Sequence, residues 1–359
     1  MRGSELLQEI AGVWQVEQSQ TRWVENGFDW SPGSHLVQVR SVPPRPYHPA
    51  DSDRWGLVVR TDLLRSPAIE SRAFTQLLAT MAPDTISTYA FVYPPPTFWN
   101  KHPDERRPTL TLFSSAYVNS EMTGLPRFFA RAALLQAIDA EFYSHQWAKE
   151  LGGEPAFIGS GRASAYDDIL NVARDFFGPE GAQPSRWRDV DEFSAFAKQF
   201  GNSDACWANA DADGMALEAP FGNDSVLIRL RSHLPHAQLG NGLSVTLELP
   251  TISSVEEAVS GAAHLNFWEA KFWTDIPLLG CWHVVVMRGD EARVAHTSFI
   301  PNALYTEGIA SNLALWSIAR ARAVRREWFP KLEDKTMSEI LRERIRASAF
   351  DKSAGPSAS

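Results

Sequence analysis

The feature that most constrains the fold is an internal repeat that relates the two halves of the chain. Residues 115–124 and 298–308 both contain a serine, an asparagine, a threonine and a glycine in that order. In both copies the motif ends a strand pattern and precedes the pattern of a long amphipathic helix. The stretches 110–142 and 283–328 are therefore predicted to be equivalent parts of one duplicated module.

The spacing of apolar residues predicts the same order of elements in both halves. Helical spacing at 5–16 and 190–200 is followed by three segments with the period of strands. A middle helix is predicted at 69–81 and 255–272, then two further strands and a closing helix. The predicted fold class is α+β, with two tandem α-β-β-β-α-β-β-α modules whose helices pack on an antiparallel sheet. The closing helices are predicted at 125–149 and 309–328.

Composition and turn residues predict the boundaries between the modules. The segment 178–184 is rich in glycine and proline and separates the two repeats. The last residues are small and polar, which predicts a disordered end. The predicted divisions are a first module at 1–150, a connecting helix and linker at 151–186, a second module at 187–330, and a C-terminal helix and disordered tail at 331–359.

Charge and hydropathy argue against several classes of protein. The chain has a formal net charge of -9 and no block of Lys and Arg, whereas a nucleic-acid surface needs a concentrated basic patch. No window reaches the roughly 18 apolar residues of a membrane span, and acids stand where a signal peptide needs an apolar run. A cytoplasmic protein without nucleic-acid or membrane partners is predicted. Cys206 and Cys281 are predicted to be reduced and unreactive, because neither has a cationic neighbour that would activate a thiol.

A glycine motif at 159–164 imitates a dinucleotide-binding loop. Gly159 and Gly161 have the required spacing, but Ser164 stands where the third glycine belongs, and no acidic residue ends a following strand about 20 residues later. Ser164 and Asp167 have instead the spacing of a capping box at a helix start. The predicted role of the motif is structural, and no cofactor is predicted.

A second motif, at 209–214, imitates the start of a calcium loop, in which alternate oxygen ligands face one cation. Its acidic residues supply such oxygens, but Pro220 occupies the twelfth position, where a bidentate glutamate is required. Glu218 is the alternative source of an oxygen in a distorted loop. The simpler interpretation is a hairpin turn at Asp213 and Gly214.

Histidines provide the remaining candidate metal ligands. His283 and His296 are predicted to lie opposite each other across a two-residue turn at 289–290, and His233 and His236 form a second pair. Zinc needs three or four ligands, and the sequence has no compact set of histidines and acids. Packed or hydrogen-bonded histidines are the simpler interpretation, so no metal and no catalytic residue is predicted.

Aromatic residues in loops supply the predicted partner-binding positions. Trp99 lies in the proline-rich connection 94–108, which has few residues to bury it, and exposed aromatic side chains are typical anchors of protein interfaces. Phe98 and Pro95 belong to the same connection, and Trp55 is the fourth predicted position. The alternative is that these side chains pack against their own module.

Several short motifs of the second half occur together in one bacterial family. They are the Asp213-Gly214 turn, the turn at 220–222, the strand with Arg229, the stretch 235–242, the hairpin around 284–286 and the segment 299–302. In these motifs residues 207–328 resemble the YbjN-type family, which has the fold of type III secretion chaperones, and the first module resembles it more faintly. The resemblance implies helices layered on an antiparallel sheet, and protein binding rather than catalysis. The first module departs from it in the connection 94–108 and lacks the proline before Asn119.

A duplicated module without an assembled catalytic set favours a non-enzymatic protein-binding or chaperone-like protein, with a protein partner that the sequence does not identify. The rival hypothesis is an enzyme or small-ligand sensor that uses the cleft between the modules, because domain interfaces are preferred sites of pockets. Secretion-chaperone-like modules resemble half of a dimer. A chain with two copies is therefore expected to be a monomer and a pseudo-dimer, with an internal pseudo-two-fold axis.

Overall fold

A computed structural model describes most of the chain. The described residues are 3–14, 18–43, 55–67, 77, 86–92, 109–118, 125–158, 171, 174–175, 177–188, 190–200, 207–236, 239–250, 252–272 and 276–328. They contain two seven-stranded antiparallel sheets, one in each half of the chain, with helices packed against them. The predicted α+β fold class with two modules is confirmed.

The first module begins with helix α1 (Gly3–Trp14), and its long helix is α2 (Leu125–Leu151). Its strands are β1 (Thr21–Val24), β2 (Gly27–Trp30), β3 (Val37–Val42), β4 (Trp55–Arg65), β5 (Thr88–Val92), β6 (Thr109–Val118) and β7 (Glu154–Pro155). The sheet has the order β1-β2-β3-β4-β6-β5, with β7 paired to β4. The predicted middle helix at 69–81 lies, apart from position 77, outside the described residues.

The second module begins with α3 (Asp191–Phe200) and closes with α5 (Ile309–Trp328). Its other elements are β8 (Trp207–Asp211), β9 (Gly214–Phe221), β10 (Asp224–Arg231), β11 (Gly242–Glu248), β12 (Ser253–Ser254), α4 (Val255–Phe272), β13 (Cys281–Val286) and β14 (Glu291–Pro301). The sheet has the order β12-β14-β11-β10-β9-β8, with β13 paired to β14. Both α4 and α5 have the predicted bounds.

Local chemistry explains where helix α4 begins. The Ser254 hydroxyl accepts a hydrogen bond from the Glu257 amide at 3.3 Å, and the Glu257 carboxylate accepts one from the Ser254 amide at 3.3 Å. This reciprocal pair is a capping box, which satisfies two backbone donors that the first turn of a helix leaves free. The helix then buries Ala258, Ala262 and Leu265 against the sheet of its own module.

In each module the structure has one strand more than predicted, between the first helix and the three predicted strands. β1 pairs only with β2 among the described strands, and β8 pairs in the same way only with β9, so each lies at an edge of its sheet. The two sheets also share details of pairing. The Ser41 amide donates to the Asn26 carbonyl at 2.8 Å, and the Ser232 amide donates to the Asp213 carbonyl at 2.8 Å.

The connecting segment at 177–188 is docked on the second module. The side-chain amide of Asn302, which is fully buried, donates to the carbonyls of Glu180, Gln183 and Pro184 and accepts from the Arg186 amide. Close backbone contact reinforces this docking, because a Cβ at Gly181 would overlap the backbone at 239–240.

The pairing of β13 with β14 corrects the predicted position of two histidines. His283 pairs with Ala295 and Trp282 pairs with His296, so His283 and His296 are not opposite each other. The turn has three residues, 288–290, rather than two, and the Met287 amide donates to the Glu291 carbonyl across it. One extra turn residue shifts the register by one position, which sends the two imidazoles to opposite faces of the sheet.

Candidate functional site

Of the four predicted partner-binding positions, the described residues include only Trp55. Its side chain is half-buried at the start of β4, where the ring lies against Gly3 of α1 and packs on the main hydrophobic core. Pro95, Phe98 and Trp99 lie outside the described residues. Partner binding at these positions stays a prediction.

The histidines of β13 and β14 have structural partners. The His283 Nε2 atom lies 2.8 Å from the Thr297 hydroxyl, and the His296 ring packs edge-on against Trp282 at a centroid distance of 5.2 Å. Burial lowers the pKa of His283 to about 4 and lowers the pKa of His296 well below its usual value, an effect to which the charge of Arg320 adds. Both imidazoles are therefore neutral at neutral pH.

The other predicted ligand motifs also have hydrogen-bonded partners of their own. His233 is exposed, whereas the buried His236 accepts a hydrogen bond from the Leu239 amide at 3.0 Å through Nδ1. In the calcium-like stretch, Asp211 accepts from the Asp213 amide in the turn between β8 and β9, and it pairs with Arg231 of β10 at 3.2 Å. Over the described part of the chain, no group of three or more His, Cys, Asp or Glu residues could hold a metal ion.

Of the glycine motif and the two cysteines, the described residues include only Cys281. The glycine motif at 159–164, with Asp167, lies outside the described residues, as does Cys206. Cys281 is buried at the start of β13, where its thiol donates to the Trp282 carbonyl at 3.4 Å. That either cysteine is unreactive stays a prediction.

A buried glutamate in the first module fixes the loop between β2 and β3. The Glu141 carboxylate of α2 accepts hydrogen bonds from the backbone amides of Ser34 and His35 and lies 3.1 Å from the His35 Nδ1 atom. Burial alone would raise the pKa of Glu141, but the hydrogen bonds and charge of His35, together with both amides, lower it below its usual value. The arrangement attaches the loop to the helix.

A second buried glutamate lies between the helices of the second module. The Arg320 Nε atom of α5 donates to the Glu269 carboxylate of α4 at 2.8 Å, and the Arg320 Nη2 atom donates to the Pro277 carbonyl at 2.7 Å. Both charged side chains are almost fully buried. Burial raises the pKa of Glu269, and Arg320 opposes this rise without cancelling it. Sequence patterns gave no sign of either buried glutamate pair, because their partners are distant in the chain.

The two modules meet where β5 approaches the segment that precedes β13. Leu278 and Ser115 exchange two backbone hydrogen bonds, of 2.7 and 3.3 Å, and the Gly280 amide donates to the Ile86 carbonyl at 2.8 Å. The Thr88 hydroxyl donates to the Gly280 carbonyl at 2.5 Å. A small apolar cluster accompanies these bonds and consists of Val58, Ala90, Phe113, Ala270 and Leu278.

Large exposed aromatic side chains lie on the edge strand of each sheet. Trp23 on β1 and Trp207 on β8 are each 52% exposed. Trp23 contacts Phe28 at a centroid distance of 5.1 Å on the face that carries the helices, whereas Trp207 is opposite Glu218 on the other face of its sheet. The sequence pattern did not mark these two residues, because their exposure depends on each strand being the last in its sheet.

In the described parts of the chain, no helix has the length and apolar character needed to cross a membrane. No protein-family model matches the sequence, and no curated protein is significantly similar to it.

Proposed function

We propose that this chain is a non-enzymatic protein-binding or chaperone-like protein. The observation that carries the proposal is the pair of edge strands, β1 and β8, each with a half-exposed tryptophan. An edge strand presents backbone donors and acceptors that can pair with an added strand of another protein. Tryptophan supplies a large rigid apolar surface and is among the residues most enriched at interface hot spots.

The use of the buried charges supports the same proposal. The Glu141 carboxylate is held by His35 and a loop backbone, and the Glu269 Oε1 atom accepts from Arg320 while the Oε2 atom is buried. A catalytic carboxylate needs a substrate within hydrogen-bonding distance, whereas these two carboxylates face other parts of the protein. Where the described residues of the two modules meet, they contact each other directly through an apolar cluster and backbone hydrogen bonds, which gives the rival hypothesis of an enzyme or ligand sensor in the inter-module cleft less support.

The proposal includes a secretion-chaperone-like, YbjN-like fold and a cytoplasmic monomer with internal pseudo-two-fold symmetry. One contact supports the symmetry. Thr88 and Cys281 occupy the same place in the two strand pairings, so Gly280 corresponds to Ser87. Gly280 bonds with Ile86 and Thr88, the two neighbours of Ser87. Contacts between equivalent positions are expected close to a two-fold axis.

The test places a photo-crosslinking amino acid at Trp23 or at Trp207 of the full chain in its native host. The control carries the same group at Leu315, which is exposed on helix α5 rather than on an edge strand. We expect one protein to be captured from an edge position and not from Leu315. With that protein purified, Trp23→Ala or Trp207→Ala should raise the Kd by about tenfold or more, as is usual for a tryptophan hot spot. Equal capture at all three positions, or unchanged Kd in both variants, would contradict the proposal.

A further inference from the structure

The segment 277–280, here named the junction segment, has partners in both modules. On one side, the Pro277 carbonyl accepts a hydrogen bond of 2.7 Å from Arg320, inside the second module. On the other side, Leu278 and Gly280 form backbone hydrogen bonds with the first module. The peptide group that joins Pro277 to Leu278 therefore has a partner on each side, because its carbonyl accepts from Arg320 and its amide donates to Ser115 of the first module at 2.7 Å.

Arg320 is itself held in place by an ion pair. Its Nε atom donates to Glu269 while its Nη2 atom donates to the junction segment, so one planar guanidinium connects α4, α5 and Pro277. Both side chains are almost fully buried, which limits the rotamers that either can adopt. The next residue of α4, Ala270, belongs to the apolar cluster at the junction. Helix α4 therefore contributes Glu269 to the ion pair of the second module and Ala270 to the contact with the first module.

The backbone of the junction segment has little freedom to adapt. The Leu278 amide and carbonyl both pair with Ser115, and the Gly280 amide and carbonyl bond to Ile86 and Thr88, so hydrogen bonds fix the backbone on both sides of position 279. A displacement of Pro277 would therefore pass to Leu278 and Gly280 instead of being absorbed between them.

We infer that Arg320 and Glu269 position the junction segment, so that the buried ion pair of the second module sets how the first module is held against it. The pair is a conformational device rather than only a source of core stability. This inference is independent of the proposed binding function, since it concerns contacts within the chain.

The principal test is Arg320→Lys in the full chain, studied by amide hydrogen exchange. Lysine keeps the positive charge beside Glu269 but lacks the planar fork that reaches a second acceptor. We expect the amides of Leu278, Gly280 and Ser115 to exchange about tenfold faster or more, because local opening of the junction becomes easier. Amides in the remote hairpin of β9 and β10 should change by less than about twofold.

The matched control is Arg326→Lys, at an exposed arginine on the same helix, which should leave the junction amides unchanged. Junction exchange in Arg320→Lys that equals the control would overturn the inference. So would equal acceleration at the junction and in the β9–β10 hairpin, because that result indicates only a loss of global stability. Should Arg320→Lys not fold, Glu269→Gln decides by the same comparison, since it keeps the Pro277 contact but holds Arg320 less firmly.

Discussion

The two modules place different chemistry at one equivalent position of their closing helices. The strand pairings align Ala116 with Ile300, a step of 184 residues (300 minus 116), and the helices α2 and α5 begin at residues 125 and 309, the same step apart. With the same step, Gln136 of α2 is equivalent to Arg320 of α5. A neutral amide and a charged guanidinium, both buried, therefore occupy the same place in the two modules.

The two side chains have different partners. Gln136 donates to the Ser114 hydroxyl at 2.8 Å and to the Val59 carbonyl at 3.4 Å, and it accepts from Thr61 at 3.3 Å, so it fastens α2 to its own sheet. Arg320 contacts another helix and the junction segment instead. One position thus serves the interior of the first module and the connection between modules in the second.

The largest effect expected from this difference is on stability. Arg320→Leu leaves the Glu269 carboxylate buried without its counter-ion, and loss of one partner of a buried pair costs about 3–5 kcal/mol. Gln136→Leu leaves neutral partners unsatisfied and should cost about 1–3 kcal/mol. Urea unfolding followed by circular dichroism measures both values.

A double variant sharpens this prediction. Replacing both Glu269 and Arg320 by methionine removes the ion pair without leaving an isolated charge, so it should be less destabilising than Arg320→Leu alone. Equal losses for Arg320→Leu and Gln136→Leu would show that the charge at this position has no special role in stability.

The next prediction tests a place where the modules are alike. A Cβ at Gly27 would overlap the Val39 carbonyl, and a Cβ at Gly214 would overlap the Leu230 carbonyl. Replacing either glycine by alanine should cost about 1–3 kcal/mol, because the sheet must shift to admit the added methyl group. Gly12→Ala is the control, since nothing lies within 4 Å of its Cβ, and it should stabilise helix α1 slightly. A loss in only one module would break the equivalence of the two hairpins.

Mild acid should reduce the stability of the second module more than that of the first. His283 has an unperturbed pKa of 6.5 and a folded-state pKa of about 4, so the unfolded chain binds this proton more readily. Its contribution to stability is therefore lost as pH falls from about 6.5 to about 4, at about 1.4 kcal/mol per pH unit. The equivalent position in the first module is Ala90, which does not titrate. The free energy of unfolding, measured at several pH values, should depend less steeply on pH for His283→Gln than for the wild type. An identical pH dependence would refute the assignment.

The smallest expected effect concerns the two buried glutamates, because protonation changes the stability of the fold in opposite directions at these two residues. The pKa of Glu141 is lowered from 4.5, so its stabilisation is present above about pH 4.5 and is lost as pH falls through the folded pKa. The pKa of Glu269 is raised, so acidification from its folded pKa toward 4.5 adds stability. As pH falls below about 4.5, the free energy of unfolding of the wild type should decrease relative to that of Glu141→Gln. As pH falls toward 4.5 from above, it should increase relative to that of Glu269→Gln. Slopes of the same sign would contradict the assignment.

Long periodic elements were predictable from the sequence, and short exposed ones were not. The bounds of α4 follow from an amphipathic pattern and the capping pair Ser254 and Glu257, both of which are local. The edge strands β1 and β8 are short and mostly exposed, and the predicted order of elements left both out, although the hairpin turn at Asp213 and Gly214 that joins β8 to β9 was predicted. The one-residue error at His283 arose from counting the turn as two residues, since hairpin register depends on loop length.

The functional residues were less predictable than the fold. Arg320 and Glu269 are 51 residues apart, and the contact between them depends on how α4 and α5 pack. Each residue alone has the sequence pattern of a charged helix surface. Trp207 was visible as an aromatic residue, but its exposure depends on its strand being the last in the sheet. Local patterns do not contain that information.

The docking of the connecting segment determines where the chain can be divided. The sequence pattern starts the second module at residue 187, but a fragment cut there would remove every backbone partner of the Asn302 side chain described above. Each buried polar group left without a partner costs about 1–3 kcal/mol. A fragment that begins at residue 177 keeps those partners, so the smallest independent unit of the second half should include the segment that the sequence presents as a spacer.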